Sequence, residues 1–123
     1  MRSRRVRELS VDELVAQFAD LGVRQCRAEL EEDATAFDRL FDRLREIRDE
    51  LKSRDGDQRT ALLPLYQRPN MQVRLNAAKA TLAVAPVDAR SALEAIAASQ
   101  HYPQAGDAGM SSQMLDEGIF VPT

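Results

Sequence analysis

The chain has 123 residues, 44% of them hydrophobic and 30% charged, with a formal net charge of −3. That length supports one core without covalent staples, and a single cysteine, Cys26, excludes an intramolecular disulfide. The net acidity gives no general attraction to nucleic acid or acidic membranes, and no apolar run reaches the length of a membrane span.

Arg2, Arg4, Arg5 and Arg7 make a basic start. Residues 1–9 are read as a flexible N-terminus ahead of a single helical domain over residues 10–123. As a binding arm this start would grip phosphate backbones, but no aromatic residue interleaves its arginines to stack on bases. It also lacks the apolar run of a signal peptide, so the expected location is cytoplasmic.

Ser10-Val11-Asp12-Glu13 is a capping box. Leu14, Phe18, Leu21 and Gln25 follow at helical spacing, with Val15 and Gly22 widening the face. The pattern predicts a helix from about Ser10 to Leu30. Gly22 weakens it by up to ~1 kcal/mol relative to alanine, and a close crossing by another helix is the expected reason for its presence. Glu31-Glu32-Asp33 starts a second helix favourably for its dipole. Phe37, Leu40, Phe41, Leu44, Ile47 and Leu51 form its apolar stripe, expected to be consumed by the core. Arg45 with Asp49 and Glu50 with Arg54 are i,i+4 ion pairs, each worth roughly a few tenths of a kcal/mol. Asp55-Gly56-Asp57 is turn chemistry that ends this helix near Arg54.

A third helix is predicted from about Asp57 to Gln67, kinked or cut short by Pro64. Asn70 caps the fourth, Met71 to Val84. Pro86 then opens the fifth, Val87 to Ser99, with Ala89, Ala92, Leu93, Ile96 and Ala97 on one face. A sixth runs from Pro103 to about Glu117, with Met110, Met114 and Leu115 as its apolar face and Gly118 as its stop. Ile119-Phe120-Val121-Pro122 is apolar enough to dock on the core. Charges concentrate before Thr60, so the first two helices read as an outer pair and the fourth and fifth as central. No period-two run suggests a strand.

The chemistry-bearing residues are few. One histidine and one cysteine, far apart in sequence, give no zinc spacing. Cys26 and His101, with Ser111 and Ser112 behind them, are the only nucleophile and base candidates, and nothing in the sequence brings them together. Gly106-Asp107-Ala108-Gly109 has neither a preceding strand nor a following Lys-Ser/Thr, so it is not a phosphate loop. Its glycines read as packing against Ala77, Ala78 and Ala80. Arg74 lies in the first turn of its helix, where a cation opposes the dipole, so it requires a carboxylate or carbonyl partner. Asn76 lies among alanines, where its amide needs hydrogen bonds, expected from a loop. With Asn70, His101, Tyr102 and Asp107 these form the candidate interaction set. No catalytic residue, metal ligand or cofactor site is assigned.

Val73-Arg74 followed by Ala77, Ala78 and Ala80 resembles the start of the inner helix of a HEAT-like repeat. More broadly, PNMQVRLNAAKATLAVAP, LEAIAAS, HYPQAGDAGM and LDEGIFVPT resemble a small bacterial family known as domain of unknown function 2019, over most of the chain from about Leu9. The resemblance implies an all-helical, HEAT-like domain and carries over no activity and no catalytic residues.

The resulting expectation is an all-α protein of about six helices in antiparallel pairs, wound as a right-handed HEAT-like superhelix. Stacked helix pairs present extended surfaces that suit a peptide or another domain, so the expected role is a non-enzymatic protein–protein interaction module with an unidentified protein partner. Two alternatives stand beside it: nucleic-acid backbone contact through the Arg-rich N-terminus, which the overall acidity opposes, and a small-ligand or enzyme site near His101–Asp107. No membrane partner is expected, and a monomer is favoured over a homodimer. The binding face is expected around Asn70, Arg74 and His101.

Overall fold

Five α-helices and two 3₁₀ segments, with no strand, make up the described part of the chain. The structure, a computed structural model, describes residues 5–123; Arg2 and Arg4 of the basic start lie outside them. The elements are a 3₁₀ turn Val6–Glu8, α1 Val11–Leu30, α2 Ala34–Ser53, a 3₁₀ segment Gln58–Gln67, α3 Met71–Ala80, α4 Pro86–Ala98 and α5 Gln104–Asp116. Counting the longer 3₁₀ segment, these are the six helical elements expected, and the all-α class holds.

Local chemistry explains most boundaries. Ser10 and Glu13 complete the capping box, with Glu13 N donating to Ser10 Oγ at 3.1 Å and Ser10 N to Glu13 Oε1 at 3.0 Å. Asp33 accepts from Ala36 N at the start of α2. Asn70 accepts from the amides of Gln72 and Val73 at the start of α3. Pro86 occupies the first turn of α4, where its missing N–H costs nothing. Gly118, at φ +71°, reverses the chain after α5, and Ile119 N and Phe120 N both donate to Met114 O.

Several expectations change. The third helix is 3₁₀ throughout, because Pro64 cannot complete an α-helical ladder and the short segment takes the tighter coil instead. Its start is held by Asp57, which receives Arg59 Nε at 2.9 Å and Nη2 at 2.7 Å. That hydrogen-bonded pairing lowers the Asp57 carboxyl below its ordinary range and raises Arg59. α3 stops at Ala80, four residues before the predicted Val84. There Thr81, fully buried, turns its hydroxyl back to Ala77 O at 2.8 Å and shares a hydrogen bond with the Tyr66 hydroxyl. Arg45 pairs with Asp42 rather than Asp49, whereas Arg54 meets Glu50 as expected. Arg54 also donates to Leu9 O at 2.8 Å; Leu9 is buried and Val6 packs against the same cluster, while Arg7 and Glu8 are exposed.

The core has two apolar clusters. One joins α1, α2, the 3₁₀ segment and one side of α3, through Leu14, Phe18, Ile47, Leu51, Leu62 and Ala77. The other joins the opposite side of α3 to α4 and α5, through Leu75, Ala78, Leu93, Ile96 and Ala108. Ala77 and Ala78, adjacent in sequence, thus face different clusters, and Tyr66 packs against both. α3 is central because its small side chains let elements approach from two sides. Gly22 supplies the closest approach, since a Cβ there would lie 2.9 Å from Val73 Cγ2 and 3.2 Å from Val73 Cα. α5 packs mainly along α4, not on an Ala77–Ala80 seat. A Cβ at Gly109 would meet Ala97 Cβ at 3.9 Å, an ordinary contact, so these glycines are not what brings the helices together.

Candidate functional site

α2, α3, α5 and the segment after Gly118 enclose a groove of about 370 Å³. Each helix contributes residues three or four apart, which share one face. α2 offers Phe41, Leu44, Arg45 and Arg48; α3 offers Asn76, Lys79 and Ala80; α5 offers Ser111 and Met114. Phe18 and Leu82 complete the floor. The turn at Gly118 brings Phe120 to the edge. The α2 stripe is therefore not wholly consumed by the core: Phe41, expected inside, is 51% exposed beside this groove.

The charge of the lining is one-sided. Among the described residues it contains Arg45, Arg48 and Lys79 and no carboxylate, although the chain as a whole is acidic. The three cations lean on acids outside the lining: Arg45 on Asp42 at 3.6 Å, Arg48 on Asp49 at 3.0 Å, and Lys79 on Asp107 at 3.1 Å. Exposed pairs of this kind contribute about 0–1 kcal/mol each, so an incoming carboxylate can compete for the cations.

Asn76 connects the groove floor to a buried chain of amides. Asn76 Nδ2 donates to Gln25 Oε1 at 2.7 Å, Gln72 Nε2 donates to Asn76 Oδ1 at 3.0 Å, and Gln104 Nε2 donates to Gln72 Oε1 at 3.0 Å. The relay runs from α1 through α3 to α5 and ends on Gln104 Oε1, a buried oxygen with no hydrogen-bond partner. Asn76 is thus held by helix side chains rather than by the expected loop.

The other candidate residues are dispersed. Asn70 is occupied by its cap. Arg74 donates from Nε to the Arg68 carbonyl, the carbonyl partner its position demanded. It also lines a second cleft of about 490 Å³ with Tyr66, Met71, Asp88 and Ser91. There burial pushes the Tyr66 phenol above its usual range, opposed by the hydrogen bond with Thr81. His101 and Tyr102 are exposed, and the Tyr102–Pro103 bond is cis. Asp107 holds Lys79 Nζ at 3.1 Å and Ser111 Oγ at 3.2 Å. Asn76 alone of the set lines the groove and Arg74 alone lines the second cleft; His101, Tyr102 and Asp107 line neither, so they form no shared pocket there. The sequence reading missed Phe41, Arg45, Arg48, Lys79, Met114 and Phe120 as a group. The available signal was the pair of arginines bordering the α2 stripe, one turn beyond Phe41 and Leu44.

Among the described residues no group of three or more His, Cys, Asp or Glu side chains is placed to hold a metal ion. No described helix is long and apolar enough to cross a membrane.

The family model for a domain of unknown function (DUF2019) matches residues 12–116. The fold is similar to the crystal structure of the protein RPA1889 from Rhodopseudomonas palustris, with a TM-score of 0.95 and 55% sequence identity over 98% of this chain and 100% of that one. A search of curated proteins finds no match.

Proposed function

We propose a protein-binding role for this chain, which belongs to the DUF2019 family of domains of unknown function. In this reading it is a non-enzymatic helical module, cytoplasmic in setting, that takes a segment of a protein partner into the groove between α2, α3 and α5. The observation that carries it is the composition of that groove. Phe41, Met114 and Phe120, from three separate elements, stay exposed around an apolar floor whose charged residues are all cationic. Apolar patches rimmed by polar groups mark interaction surfaces, and like-signed rim charges set specificity and approach. The complementary segment has apolar anchors next to carboxylates. The pairing of successive helices, α1 with α2, α3 with α4 and α4 with α5, supports the accompanying HEAT-like reading.

Selection of displayed random peptides on the immobilised protein tests the role. Enriched sequences should combine large apolar residues with Asp or Glu. Their binding should weaken with salt and fall at least tenfold for Phe41→Asp. Enriched peptides that bind Phe41→Asp as well as the parent, or no enrichment at all, would remove the groove from consideration.

A further inference from the structure

We infer that the groove is self-complementary and that its partner is a second copy of this chain, whose segment 117–121 enters it; this rests on the reading of the groove as a protein-binding site. The apolar side chains left uncovered point to it. Ten large apolar side chains remain exposed among the described residues; three of them, Phe41, Met114 and Phe120, line the groove, and three more, Met110, Ile119 and Val121, lie within four residues of those in the chain. Met110 stands one helical turn before Met114, and Ile119 and Val121 flank Phe120 outside the lining, so apolar side chains without cover border the groove at its α5 end.

The segment after α5 has the chemistry that the groove calls for. Asp116 and Glu117 precede Ile119, Phe120 and Val121, which places carboxylates beside apolar anchors. Within its own chain this segment cannot fill the groove. The turn at Gly118 and the hydrogen bonds donated by Ile119 N and Phe120 N to Met114 O set its path, so Phe120 reaches the lining while Ile119 and Val121 stay outside it, 65% and 71% exposed. The Ile119–Pro122 string, expected from its composition to dock on the core, therefore stays largely outside it: Ile119, Phe120 and Val121 are exposed, Phe120 reaching only the groove edge, and Pro122 is half-buried. Asp116 is engaged by Arg90, whereas Glu117 accepts from the neutral Gln113 amide at 3.1 Å and remains able to take a cation.

A two-fold arrangement uses both halves at once. The same face serves on each copy, as an isologous interface requires. Ile119 and Val121 of one copy cover Phe41 and Met114 of the other, and Glu117 meets the cations Arg45 and Arg48. Each groove is thereby completed by residues from the neighbouring copy, and pairing occludes the surface an outside segment would use.

Analytical ultracentrifugation of the full chain over a wide concentration range, with three variants, tests this. Parent protein should dimerise. Ile119→Ser with Val121→Ser changes exposed residues only and should weaken the dimer at least tenfold, as should Arg48→Glu. Adding Glu117→Arg to Arg48→Glu should restore association, because the reversed charges meet again across the two-fold axis. A parent that is monomeric throughout overturns the inference, as does a dimer indifferent to both the serine variant and Arg48→Glu. A monomer that still binds the selected peptides overturns self-pairing while leaving the groove reading intact. Peptide binding that strengthens in the serine variant supports occlusion by the second copy.

Discussion

A Cβ on Gly22 would meet Val73 Cγ2 at 2.9 Å and the Val73 backbone at 3.2 Å, whereas one on Gly109 would meet nothing nearer than Ala97 Cβ at 3.9 Å. Both glycines lie inside helices, where alanine is intrinsically better by about 1 kcal/mol. At Gly109 that gain is unopposed. At Gly22 the added methyl pushes on a β-branched side chain and a central helix backbone, and overpacking of this kind costs roughly 1–3 kcal/mol. Gly109→Ala should therefore raise the urea midpoint and Gly22→Ala should lower it. Equal shifts of one sign would show that the α1–α3 crossing can relax. The sequence reading anticipated the crossing at Gly22 and also assigned close packing to Gly106 and Gly109. The two cases look alike in sequence because a missing side chain does not say what stands opposite it.

Helix termini were the most legible part of the elements, since a cap is decided by residues within one turn of each other. Ser10, Asn70, Pro86 and Gly118 each mark the boundary the structure shows. α3 was misjudged at its far end because Thr81 is claimed by Tyr66, fifteen residues earlier in the chain. The amide relay shows the same limit at larger range. Gln25, Gln72, Asn76 and Gln104 could each be recognised as polar groups on core-facing positions, but not as one hydrogen-bonded chain across α1, α3 and α5. Asn76→Leu leaves Gln25 Oε1 and Gln72 Nε2 without these partners, and each orphaned group should cost about 1–3 kcal/mol. Gln104→Met removes a bond but also the unpartnered Gln104 oxygen, so its cost should stay within about 1 kcal/mol. Chemical denaturation of the two variants checks the contrast; similar losses would show that the relay is not an energetic unit.

Across the molecule, stability is unevenly distributed. α1 buries Leu14, Phe18 and Leu21 in the larger cluster, while α5 buries only Gln104, Ala105 and Ala108. Few buried apolar contacts mean a low free energy of local opening. Native-state hydrogen exchange should show α5 amides exchanging well before those of α1 and α3; equal protection would contradict the two-cluster division. The groove lies along this boundary, with one wall on the firm α2–α3 side and the other on α5 and Phe120. By itself the sequence determined the all-helical class, the order of the six helical elements and most of their caps, because these depend on residues a few positions apart. Only the tertiary structure decided that Ala77 and Ala78 serve different clusters and that the relay crosses three helices. It also decided that Phe41, Arg48, Lys79 and Phe120 line one groove. These relations join residues tens of positions apart, and helical periodicity assigns each residue a face without saying which other face it will meet.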